Sequence, residues 1–192
     1  MLDSRDRILA AAAESFLLLG FRESRMANIA KEAEVSRAWL YRQFPTKETL
    51  LLALNDRVID DARSVGLQLL KDTFSPALRL RNWLRWSLQS PWRQHAVRVV
   101  TMEDYQSSLL ADEGATLEII QDTASALKRV IRAGVKNGEF RADLKPADVV
   151  HTLQAMLMGL HRNNVSKRPL FEVKSEAQIK NAIAILLNGI TK

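Results

Sequence analysis

Apolar residues along this chain recur at three- and four-residue steps, the period of helices packed on one side. Ile8, Ala12, Phe16 and Leu19 make the first stripe, which Asp3 or Ser4 caps and Gly20 ends. A second helix opens at Ser24 or Arg25 and turns Ile29, Ala30 and Ala33 inward; Glu34-Val35 forms a turn, and Ser36 caps a third helix running to about Phe44. Pro45 breaks that helix and Thr46 caps a fourth, with Leu50, Leu51, Leu54, Val58 and Ile59 inside, that extends to about Leu70. No Gly/Ser/Pro linker follows, so a long helix is expected to join the N-terminal head rigidly to the body.

Beyond Pro76 the helical period continues. Leu80, Leu84 and Leu88 form one stripe, Val97, Val100 and Met102 another, and 117–135 a long amphipathic segment stopped by Asn137-Gly138-Glu139. Pro146 suits the first turn of a helix reaching about Arg162, and a polar loop through Lys167-Arg168-Pro169 follows. Ser175 with Gln178 forms a capping box ahead of Ile179, Ile183, Leu186 and Ile190. Strand alternation is absent from the pattern. The predicted fold is all-α with about nine helices, divided into a head at 1–46 and a body at 47–192.

Composition narrows the chemistry. The 192 residues contain no Cys, and His95, His151 and His161 lack acidic neighbours at ligand-like spacing, so no metal site and no cofactor are expected. Ser–His–acid sets, paired carboxylates and phosphate-cradling Gly loops are missing, which disfavours an enzyme. No apolar run approaches the roughly 18–20 residues of a membrane span and no signal core follows the N-terminus; a soluble, cytoplasmic chain is expected. The net charge of +6 suits a polyanionic partner, yet residues 1–50 hold eight Lys/Arg against seven Asp/Glu. What counts is where the charges point.

The third helix concentrates them. From Val35 to Lys47 there is no acidic residue, while Arg37, Arg42 and Lys47 are basic. At about 100° per residue, Leu40 and Phe44 fall on one side, Ala38 and Arg42 opposite, with Trp39 and Tyr41 flanking. Arg37, in the first turn, has the reach to donate two hydrogen bonds to guanine O6 and N7, and Ala38 fits against a thymine methyl. Tyr41 suits a phosphate or thymine, Gln43 a phosphate or adenine, and Lys47 a phosphate. The competing reading is a solvated basic face on an ordinary amphipathic helix. Two aromatics beside two Arg on one short helix weigh against it.

Ile8-Leu9 through Phe16, Gly20-Phe21, Ser24, Ile29-Ala30, Val35-Ser36-Arg37, Leu40-Tyr41-Arg42 and Phe44-Pro45-Thr46-Lys47-Glu48 resemble the N-terminal domain of the TetR family of bacterial transcriptional regulators. The resemblance implies a homodimer that binds a palindromic double-stranded DNA operator, usually as a repressor, and is released by a small-molecule effector in the C-terminal domain. It carries groove-facing roles onto Arg37, Ala38, Trp39, Tyr41 and Gln43, with Ser36 and Arg42 on the same helix. Lys47 takes a phosphate-anchor role and Ala27 a second-helix position near DNA. Three positions depart from the pattern. Glu34 stands where Gly is usual, so either a left-handed residue carries a side chain at a cost of about 1 kcal/mol or the turn differs. Trp39 replaces a small or hydroxylated residue, and Arg25 replaces Ser or Thr, adding a phosphate contact.

In the body, residues 149–160 are apolar around nearly the whole helix, which points to burial on more than one side. Val149, Leu153, Met156, Leu157 and Leu160, with Ile179, Ile183, Leu186 and Ile190 on the last helix, are the candidate dimer interface; a central helix within a monomer is the alternative. The run 73–102 lacks acids but carries five Arg and Trp83, Trp86 and Trp92. These three Trp, with His95, Met102, Tyr105 and Met156, are candidate effector contacts. Ordinary core and solvated Arg explain the same run. A sequence-blind DNA binder or protein-interaction module remains the alternative function.

Overall fold

In the computed structural model, residues 3–94, 113–164, 170 and 172–191 are described. Among them, nine α-helices form, with a single turn of π-helix. The head consists of α1 (Ser4–Leu19), α2 (Met26–Glu32) and α3 (Arg37–Gln43). Then come α4 (Lys47–Asp61), a π-turn (Ala62–Gly66), α5 (Leu67–Lys71) and α6 (Pro76–Gln89). The body is completed by α7 (Glu113–Lys136), α8 (Pro146–Asn164) and α9 (Glu176–Asn188). The stripe at Val97, Val100 and Met102 lies outside the described residues.

Local chemistry sets the helix ends. The Asp3 carboxylate accepts from the Asp6 amide at 2.7 Å, and Gly20 ends α1 at φ 86°. Ser24 does not cap α2. It is buried and donates instead to the Gly20 carbonyl at 2.8 Å while accepting from Ser15, and Arg25 takes the N-cap position without a side-chain bond. Ser36 accepts from the Trp39 amide at 3.1 Å, and Thr46 and Thr49 form a reciprocal capping box on α4.

The α2–α3 turn is a Schellman motif. The Val35 amide reaches the Ala30 carbonyl and the Glu34 amide that of Lys31, with Glu34 in the left-handed region at φ 54°. Of the two alternatives at this position, the left-handed residue carrying a side chain is the one present.

The helix after Thr46 does continue towards Leu70, though not as regular α-helix throughout. The π-turn before α5 sets Gly66 against the Trp86 ring so tightly that a methyl group there would overlap it. A body core gathers Ile59, Leu80, Trp83, Leu84, Leu127, Val130, Val150, Leu153 and Ile183. The head core contains Ile8, Phe16, Ile29, Leu40 and Phe44, and it extends beyond position 46 to Leu50, Leu51, Leu54, Val58 and Trp92.

Replacing Glu34 with Gly removes the left-handed cost while sacrificing only a surface ion pair to Arg7 at 3.8 Å. Glu34→Gly is expected to gain about 1 kcal/mol, raising Tm by roughly 2–4 °C in a calorimetric scan.

Candidate DNA interface and ligand cavity

Leu40 and Phe44 turn inward as the helical angles require, and this fixes what α3 shows to solvent. Arg37, Ala38, Arg42 and Gln43 are exposed, and Tyr41 is 47% exposed. Ser36 is occupied as the N-cap. Arg25 is exposed at the start of α2 and Ala27 half-buried beside it. One outward face thus presents two guanidiniums, a phenol and an amide on a helix pinned by two buried anchors, a donor-rich layout suited to phosphates and base edges.

Two candidates sit differently from their sequence expectation. Trp39 is half-buried against the head core, so only part of its ring is available to a partner. Lys47 Nζ donates to the carbonyls of Phe21 and Arg22 at 2.7 and 2.8 Å and lies 4.9 Å from the Phe21 ring centre. Its ammonium clamps the α1–α2 loop onto the start of α4. One of its three protons remains for a phosphate.

In the body, α4, α6, α7 and α8 enclose a cavity of about 280 Å³. Its wall is mainly apolar, with Val58, Ile59, Trp83, Ile119 and Leu157, and its polar lining includes Asn55, Arg93, Thr123, Gln154 and His161. Of the effector candidates among the described residues, Trp83 alone lines it. Trp86 packs on Gly66, and Trp92 is buried in the head core with the Arg57 guanidinium 4.5 Å from its ring centre. Met156 is exposed on the opposite face of α8, while His95, Met102 and Tyr105 lie outside the described residues. Arg93 and His161 were legible only as one Arg among several and one unremarkable His. Their convergence is tertiary.

His161 is 1% exposed, with Nε2 at 3.5 Å from the Ser87 hydroxyl. Burial, helped by the nearby Arg93 charge, brings its pKa down to about 4. The imidazole is neutral in the folded chain at pH 7. Arg93 is also pulled below its ordinary range by burial, partly offset by Asp61, whose buried carboxylate accepts from Ser90 Oγ at 2.7 Å.

The candidate dimer residues divide cleanly. Val149, Leu153, Leu157, Ile179, Ile183 and Ile190 are buried in the chain's own core, which leaves little of their side chains open to a partner. Met156, Leu160 and Leu186 instead line a shallow apolar groove with Gly159, Ala182 and Ile185, the last 73% exposed. The reason is angular: each helix spends one side on its own domain. No described helix is long and apolar enough to cross a membrane.

Residues 8–54 match the model of the bacterial regulatory proteins of the tetR family. Over 179 residues the chain is 32% identical to the HTH-type transcriptional regulator RutR of Escherichia coli K12, covering 92% of this chain and 80% of the relative. The chain belongs to the TetR family. Solved structures share the fold. The ketosteroid transcriptional regulator KstR2 of Mycobacterium tuberculosis superimposes with a TM-score of 0.71 at 23% identity, over 100% of this chain and 97% of that one. AibR in complex with isovaleryl coenzyme A and operator DNA gives 0.68 at 18% identity, over 96% and 98%. As a TetR-family transcriptional regulator, the protein carries its DNA-binding helix–turn–helix in α2 and α3.

The depressed His161 pKa makes stability depend on pH. Between about 4 and 6.5 the unfolded chain holds a proton that the folded chain refuses, so this contribution is complete above 6.5 and lost as pH falls towards 4. Urea denaturation should show about 2 kcal/mol less stability at pH 5 than at pH 7.5 from this group, and His161→Gln should flatten the slope.

Proposed function

We propose that this protein is a homodimeric repressor that grips a palindromic operator with two copies of α3 and is released when a small molecule enters the body cavity. The observation that carries the reading is the placement of α4. Its first residue, Lys47, clamps the α1–α2 loop of the head, and Asn55, Val58 and Ile59, two to three turns later, line the cavity. A ligand wedged against those residues tilts the helix whose other end holds the reader, and changes the spacing of two recognition helices. Half-sites one helical turn of DNA apart, about 34–36 Å, punish such a change. Switching from mostly bound to mostly released requires the ligand to favour one state by several kcal/mol. Ligand and operator together in the AibR structure support this division of labour.

Dimerisation is favoured by the groove on α8 and α9, where Met156, Leu160, Ile185 and Leu186 leave apolar surface open that a second copy would cover. Ile185→Asp, at an exposed position that does not disturb the chain's own core, is expected to yield a folded monomer in analytical ultracentrifugation and to weaken operator binding at least tenfold. A dimer that survives this substitution places the interface elsewhere.

Selection of bound sequences from a random DNA pool tests the reader. A palindrome should emerge. Arg37→Ala should relax selectivity at one position of each half-site, costing about 1–3 kcal/mol there, while Lys47→Ala weakens all sequences alike. Unchanged selectivity in Arg37→Ala removes that residue from base reading.

A further inference from the structure

The cavity wall has an electrostatic imbalance that its apolar character makes acute. Arg93 lies on it beside Trp83, Ile119 and Leu157, and among the described residues no carboxylate oxygen comes within 4.0 Å of its guanidinium. The guanidinium carbon lies 5.7 Å from the ring centre of Trp86. Asp61, the acid that acts on it electrostatically, is engaged with Ser90 Oγ. His161, on the same wall and within reach of the Arg93 charge, is neutral and offers no counter-charge. Arg93 Nε, His161 Nδ1 and Trp83 Nε1 are all buried without a hydrogen-bond partner. Three of the six such nitrogens among the described residues thus sit on side chains lining one cavity, and each costs free energy while it stays unpaired. A buried cation lacking an ion-pair partner is most cheaply relieved by an anion.

We propose that the cavity binds a compact organic carboxylate, its charge paired with Arg93 and its apolar body lying over Trp83, Ile119 and Leu157. The volume of about 280 Å³ falls at the small end of ligand pockets, which sets the size class at a short acyl chain or a single ring. Gln154 and Thr123, also on the wall, supply polar contacts along the molecule. A neutral heterocycle or an amine of the same size would leave Arg93 uncompensated or repelled. The assignment rests on reading the cavity as the effector site. It also bears on coupling, since Arg93 follows Trp92, which is buried in the head core.

Isothermal titration of the full-length, DNA-free protein with benzoate and octanoate, against benzamide and octanamide, separates charge from shape. At least one acid should bind at least tenfold more tightly than its amide. Arg93→Gln should erase that ratio, and Arg93→Lys should keep an acid preference at reduced affinity. Amides that match their acids, or an acid preference that survives Arg93→Gln, overturn the proposal, as does the absence of binding by every member of the panel. Because the wild-type acid–amide ratio needs no variant, misfolding of Arg93→Gln leaves the test intact. DNA plays no part in the titration, so failure of operator control does not touch it; an acid that binds without loosening operator would leave the site standing and refute its role as a release switch.

Discussion

The arrangement depends on one helix serving two apolar cores. From α4 the head core takes Leu50, Leu51, Leu54 and Val58, and the next residue, Ile59, with Ala62 at the start of the π-turn, enters the body core. Trp92 returns the connection from the body side, buried among head residues beneath Arg57. Arg57 is itself tied to α1 through Asp6 at 3.1 Å. Close packing makes such a joint stiff, so a displacement at the cavity end reaches the reader as a rigid movement with little loss in local flexing.

The two binding surfaces follow opposite electrostatic rules. On α3, guanidiniums stand in water, where their solvation costs nothing until phosphates displace it, and attraction to DNA is long-ranged and salt-sensitive. In the body, Arg93 has already surrendered much of its hydration to a wall of Trp, Ile and Leu. A charge placed so lowers the stability of the empty protein and raises the reward for the right ligand. His161, neutral through burial, keeps a second positive charge out of the same space.

Glu34 shows how a relative of the family can tolerate a poor turn residue. The Schellman bonds from Val35 and Glu34 to Ala30 and Lys31 hold the backbone in the left-handed region, and the side chain projects into solvent towards Arg7. Stability is given up locally, while Leu40 and Phe44 keep the recognition helix anchored against the head core. Likewise helical regularity is broken in the π-turn that ends at Gly66, where the Trp86 ring packs against backbone that carries no Cβ.

Much was legible from local rules. Caps at Asp3, Ser36, Thr46 and Ser175, breaks at Gly20 and Pro45, and the inward pair Leu40 and Phe44 all depend on interactions within a few residues, which periodicity and side-chain chemistry report directly. The exposed face of α3 follows from the same angles. What no local rule determines is which partner each apolar side meets. Trp83, Trp86 and Trp92, equivalent by composition, go to the cavity wall, to Gly66 and to the head core. Lys47 was expected on phosphate but holds two carbonyls 25 and 26 residues away. The residues proposed for the interface divided between the chain's own core and an open groove, and Arg93 met His161 only because α8 lies across the end of α6. Sequence alone determined the helices and the reader's outward chemistry, since these depend on neighbours along the chain. The cavity, its unpaired charge and the joint between head and body depend on contacts between distant segments, and only packing decided them.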